Sequence, residues 1–125
     1  MGIGHHVVEA LIRENQYRPI RGDVILIGRQ TVSLTPQAVL ALLVEHGAEV
    51  GSISLAGIKT GGTTTNSNDG FITDSELFRL LGVPKVLALD HSDYEGAEII
   101  HDLTKPVPPP LRGCADFILD GSTLD

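Results

Sequence analysis

Tryptophan is absent from this chain, and phenylalanine and tyrosine together make only 4% of it. Any core must therefore rest on leucine, isoleucine, valine and alanine. Cysteine is nearly absent too. Cys114 stands alone, which excludes an internal disulfide framework and suits a reducing compartment. With no second cysteine beside it, it starts no metal site, and its plain reading is a buried or half-buried thiol. Basic residues are scarce, nine against sixteen acidic ones, for a net charge of −7. That balance argues against non-specific binding to nucleic acid or to an anionic membrane, which needs basic patches. No apolar run approaches the roughly 18 residues of a membrane span. The N-terminus lacks the basic-then-apolar pattern of a secretory signal. The cytoplasm is the expected compartment.

What is present reads as one soluble globular domain over residues 1–125. The chain is 42% apolar and 20% charged, an ordinary balance, and long enough for a sizeable core. Two short apolar runs organise it: DVILIG, Asp23 to Gly28, and KVLALD, Lys85 to Asp90. Their length, their β-branched content and the flanking Gly22 and Pro84 favour strands. An uninterrupted apolar run suits a strand buried on both faces, as in a parallel sheet.

The other elements follow from pattern. Gly4 to Tyr17 carries Val7, Val8, Leu11 and Ile12 at helical spacing. Arg29 to Leu34 reads as a connecting loop. Thr35 before Pro36 is a helix start, and Gly47 is a helix stop after His46. Glu49 to Leu55 has strand character. The glycine-, threonine- and asparagine-rich stretch at about 48–72 reads as a flexible insertion. Its GIKTGGTT has Lys59 ahead of the glycine pair, the wrong order for a Walker phosphate loop. Thr73 and Glu76 have capping-box spacing ahead of an apolar helix that Gly82 closes. Ala97 to His101 reads as a third strand, Lys105 to Pro110 as a proline-rich loop, and Ala115 to Leu119 as a fourth strand. The expected architecture is a three-layer α/β sandwich with a parallel sheet in strand order 3-2-1-4 and right-handed crossovers.

Three carboxylates then fall at strand tips: Asp90, Asp102 and Asp120. In a parallel sheet these tips share one edge, where ligands bind. Gly28 ends the first strand at the same edge, and a carboxylate after the second strand can accept both hydroxyl hydrogens of a ribose. The plainer reading is that an aspartate at a strand end starts a turn.

The spacing of DVILIG, KVLALD, AEIIHDL and ADFILDG resembles the first four strands of a class I S-adenosylmethionine-dependent methyltransferase, over most of Arg21 to Asp125. The resemblance implies a Rossmann-like fold and S-adenosylmethionine as cofactor. It implies a small-molecule or protein methyl acceptor. It assigns Gly28 to the glycine loop, Asp90 to the ribose, His91 and Ser92 to the nucleoside, Asp102 with Leu103 to the adenine, and Asp120 to the tip near the transferred methyl. The family's glycine-rich loop reads here Gly28-Arg29-Gln30-Thr31-Val32, with bulky groups where the backbone approaches the cofactor. The family's sheet has seven strands, so this chain corresponds to the N-terminal half. Its fourth strand would be an exposed edge. That points to a fragment, or to a half that pairs with a second copy. A non-catalytic Rossmann-like nucleoside-binding or assembly module is the alternative. A nicotinamide enzyme is disfavoured, because no G-x-G-x-x-G follows the first strand.

Overall fold

The computed structural model describes residues 2–61, 70–92 and 96–120. Four parallel strands form the main sheet: β2 (Val24–Ile27), β4 (Val86–Asp90), β5 (Ile99–Ile100) and β6 (Phe117–Asp120), in spatial order β5-β4-β2-β6. This is the expected 3-2-1-4 order in an α/β fold. Val24 stands opposite Val86 on one side and Phe117 on the other, and Ile27 stands opposite Leu89 and Asp120. Every residue of β2 is buried, as its unbroken VILI run requires for a central parallel strand.

Three α-helices lie in the described chain: α1 (His5–Tyr17), α2 (Pro36–Glu45) and α3 (Asp74–Leu80). The ends of α2 and α3 have local causes. In α2 the Thr35 hydroxyl accepts from Ala38 N–H at 3.2 Å and Pro36 takes the first turn. It closes with Gly47 at φ +85°, whose N–H goes to Val44 while Ala48 N–H goes to Leu43. That pair of bonds is the Schellman end, which requires a left-handed residue. The same end recurs in α3 at Gly82, with Gly82 bonded to Arg79 and Val83 to Phe78. At the start of α3 the Thr73 hydroxyl accepts from Glu76 N–H at 3.1 Å. The reciprocal half of the expected capping box is replaced: Thr73 N–H donates to the Lys59 carbonyl, and the Glu76 carboxylate takes Arg79 at 2.6 Å.

The three helices supply one layer. Val8 and Ile12 of α1, Val39 and Leu42 of α2, and Leu77 and Phe78 of α3 pack with Val24, Leu26 and Val86. Fully burying a side chain of this kind stabilises the fold by roughly 1.5–3 kcal/mol. The opposite face of the sheet shows Ile25, Ile27 and Leu89, against Ile99, Cys114 and Ala115. Its cover is the connection from β5 to β6, and topology puts it there. The chain steps outward from β2 to β4 to β5, then returns to the far edge. A right-handed connection that reverses direction along a sheet must cross the other face. The prolines at 106 and 108–110 keep this layer irregular, with a single 3₁₀ turn at Pro109–Leu111. The layers are thus helix, sheet and loop.

Two expectations are corrected. The stretch Arg29 to Leu34 is more than a loop: β3 (Thr31–Val32) pairs in parallel with β1 (Gly2–Ile3), and Ser33 N–H continues to the Ile3 carbonyl at 2.9 Å. Ile3 and Val32 are 0% and 1% exposed, so their backbone groups must find partners within the protein. Glu49 to Leu55 forms no strand. Ile53 N–H turns back to Val50 at 3.0 Å around Gly51, and a 3₁₀ turn follows at Leu55–Gly57. Val50 and Ile53 still pack on the core, so the apolar pattern was real while the pairing was not. The centre of the expected flexible insertion, residues 62–69, lies outside the described residues. Its flanks are joined, with Gly61 N–H bonded to the Phe71 carbonyl at 2.8 Å and Thr60 bridging Ile72.

Candidate functional site

At the carboxyl ends of β2, β4 and β5 there is a cavity of about 200 Å³. Its wall holds Ile27, Gly28, Leu89, Asp90 and His91, then His101, Asp102, Leu103 and Thr104. Of the residues expected from the sequence, Gly28, Asp90, His91, Asp102 and Leu103 are therefore brought together. Ser92 and Asp120 stand outside this wall. Asp120 ends β6 beside Ile27, on the far side of β2 from β4 and β5.

Each wall residue is set by the strand that delivers it. Gly28 leaves β2 at φ +82°, and its N–H still reaches the Leu89 carbonyl at 2.7 Å. The turn needs glycine, since a side chain at that φ is strained. Asp90 follows as the last residue of β4. Its Oδ1 accepts from the His91 N–H at 2.7 Å and contacts the His91 ring at 2.9 Å. Both contacts use Oδ1, which leaves Oδ2 out of them. His101 continues the ladder one residue beyond β5, donating its N–H to the Asp90 carbonyl at 2.8 Å. Asp102 then folds its Oδ1 back onto the Thr104 N–H and hydroxyl, at 2.9 and 2.7 Å. The hydroxyl bond first, then the backbone bond, hold the Asp102 carboxyl below its usual range.

The bulky loop beside Gly28 does not crowd the cavity. Gln30 is 2% exposed and turns into the protein, donating its amide to the carbonyls of Ile27 and Gly28, each at 3.1 Å. Arg29 turns inward as well. Its Nε meets Asp74 at 3.0 Å and its Nη1 meets Glu98 at 2.9 Å. The same Asp74 oxygen accepts Gln30 N–H at 3.0 Å, while the other Glu98 oxygen accepts Ala88 N–H at 2.7 Å. Glu98 thus takes a backbone donor of β4 just short of the point where β5 begins. The network joins the loop, the start of α3 and the edge of the sheet. No motif in the sequence linked these three residues, because 45 and 69 positions separate Arg29 from its partners.

A second cavity of about 220 Å³ lies under the loop layer. It is apolar, with Ile25, Val107, Leu111, Cys114 and Ile118 in its wall. It shares Ile27, Leu89, His101 and Leu103 with the first cavity. A larger hollow of about 380 Å³ sits at the opposite ends of the strands, between Gly22–Val24 and Pro84–Leu87. Parallel α/β sheets bind ligands at the carboxyl ends of their strands, so the first cavity is the candidate site. Among the described residues no cluster of three histidine, cysteine, aspartate or glutamate side chains is placed to hold a metal ion, and no helix is long and apolar enough to cross a membrane.

Compared with known proteins, the chain matches no protein-family model, no curated protein and no solved structure.

Proposed function

We propose that this domain binds the nucleoside part of S-adenosylmethionine and belongs to an enzyme that transfers a methyl group to a small-molecule or protein acceptor. The observation that carries the reading is the shared cavity. A glycine turn after β2, an acid at the tip of β4, and the Asp102–Leu103 segment after β5 line one site, in a parallel sheet of matching strand order. Asp90 would hold the ribose, with Oδ2 still able to accept a hydroxyl hydrogen. His91 and Leu103 would flank the nucleoside, and Gly28 would let the ligand approach the backbone. Among the described residues the wall has no lysine or arginine, and Arg29 is already engaged by two carboxylates. Such a site suits a cationic ligand over a pyrophosphate, which also counts against a nicotinamide dinucleotide. When bound, S-adenosylmethionine supplies an electrophilic methyl group on a sulfonium sulfur. The chain's own contribution is then orientation and proximity.

A second reading is a non-catalytic nucleoside-binding or assembly module. The stapled Gly28–Gln30 loop favours it, since the carbonyls of Ile27 and Gly28 are already taken by Gln30. Ile118, 58% exposed on strand β6, is the residue a second copy would cover in such an assembly. Calorimetric titration with S-adenosylmethionine and S-adenosylhomocysteine tests the first reading. Asp90→Ala is expected to weaken binding by about 1–3 kcal/mol through its lost hydroxyl contacts. Unchanged affinity in that variant removes the ribose assignment. Absence of binding, together with a dimer in sedimentation, favours the second reading.

A further inference from the structure

We propose that the apolar cavity beneath the proline-rich loop is a second binding site, one that takes a small uncharged molecule the size of a single aromatic ring. It goes beyond the nucleoside reading above and does not rest on it. The cavity measures about 220 Å³. Protein interiors hold few voids larger than a water molecule, so one of this size against a central sheet calls for a reason. Two observations agree on which side chains face it. Ile25, Ile27 and Leu89 form the buried cluster on this side of the sheet, with Cys114 and Ala115 packed against it. The same five line the cavity. Register adds Ile118, which stands opposite Ile25 on the neighbouring strand and so presents its side chain to the same face.

Size and chemistry choose the occupant. The floor, Ile25, Ile27 and Leu89, is buried and apolar. The rim is open, since Val107 and Ile118 are exposed, and that gives a path of entry. Among the described residues the wall holds no carboxylate, lysine or arginine. A charged group seated there would lose its water and gain no partner. Apolar cavities stay dry and take apolar guests: an engineered one of about 150 Å³, lined by leucine, isoleucine and phenylalanine, binds benzene. The present cavity is larger and has the same kind of lining. An α-helix of a partner protein, roughly 10–12 Å across, is too wide to enter it. The neighbouring candidate site shares Ile27, Leu89 and Leu103 with this wall, so a guest here lies against the first cavity.

Benzene is the probe and benzoate its charged counterpart, both tested on the full chain. At about ten times its Kd, benzene should raise the melting temperature by roughly 3–6 °C, because a ligand that binds only the folded state stabilises it. Cys114, the chain's one cysteine, lines the cavity and reports its occupancy. Its alkylation by N-ethylmaleimide should slow about tenfold at the same benzene concentration. Benzoate should do neither. Ala115→Leu fills the cavity and should abolish the benzene shift; Cys114→Leu fills it from a second position if the first variant does not fold. A benzene shift that persists undiminished in the filled variant seats the ligand elsewhere and overturns the proposal. A shift of equal size with benzoate overturns it, as does benzene that neither shifts the melting temperature nor protects Cys114. A chain that sediments as a dimer, with Cys114 unreactive whether or not benzene is present, has this face covered by a second copy, and that result overturns it too. S-adenosylhomocysteine plays no part in these measurements, so the nucleoside reading stands or falls by its own titration.

Discussion

The two faces of the sheet start from the same material and end differently. Alternate residues of β2 point to opposite sides, and all four are buried isoleucine, leucine or valine. On the Val24 and Leu26 side three helices close the core, with Phe78, Leu77 and Ile12 at 1% exposure or less. On the Ile25 and Ile27 side a proline-rich loop is the cover. There a cavity remains, and Val107 and Ile118 are 45% and 58% exposed. Helices bury a continuous apolar stripe and satisfy their own backbone. A loop rich in proline does neither well. The stable face positions the strands, and the looser face borders the site through His101 and Leu103.

That contrast can be broken by measurement. The largest effect should come from Phe78→Ala on the helix face, about 3–5 kcal/mol of stability in urea unfolding. Val107→Ala on the loop face should stay within about 0.5 kcal/mol. Similar losses at both would erase the distinction between the faces. Next comes Arg29→Met, which leaves the buried Asp74 carboxylate without its guanidinium. Breaking a buried pair on one side costs roughly 3–5 kcal/mol; because Arg29 keeps some exposure and Glu98 much more, the low end of that range is expected. A loss below about 0.5 kcal/mol would mean that the network does not hold the α3 start to the sheet edge.

Gly22→Ala probes the point where the loop layer re-enters the sheet. Gly22 has φ +79°, and an added Cβ would overlap the Asp116 carboxylate, which accepts the Asp23 N–H at 2.9 Å. Strain of this kind costs of order 1–3 kcal/mol. A neutral result would show that the β2 and β6 entries are not tightly coupled.

The smallest effect is pH dependence, and it has one contributor on each layer. Glu9 on α1 is lowered from its ordinary 4.5, chiefly by its hydrogen bond to His46. Asp102 in the loop layer is lowered from 3.8, chiefly by Thr104. A depressed folded-state value means that the stabilisation is complete above the ordinary value and is lost as pH falls through the folded one. Asp102 is exposed and Glu9 is half-buried at the surface, so only a slight drop in melting temperature below about pH 4 is expected. Asp102→Asn should flatten part of that drop, and an unchanged slope would remove Asp102 from the account.

Much of this was legible in the residues alone, for a local reason. Unbroken apolar runs such as VILI and VLALD state that a strand is buried on both faces. Gly47 and Gly82 state where helices must end, because few other residues tolerate that backbone. Strand order and crossover side then follow from chain direction and handedness. Five of the seven expected site residues meet in one cavity because strand tips of a parallel sheet share an edge.

What only the tertiary structure decided depends on partners far away in the chain. Glu49 to Leu55 looks like a strand, but it turns at Gly51 and packs on the core without pairing. The pairing of Ile3 with Val32 joins two segments too short to announce themselves. Arg29 and Gln30 read as obstacles beside Gly28, yet Asp74, Glu98 and two nearby carbonyls draw them inward. Periodicity and turn chemistry act between neighbours and are written in the chain, whereas burial and the satisfaction of polar atoms depend on every element at once.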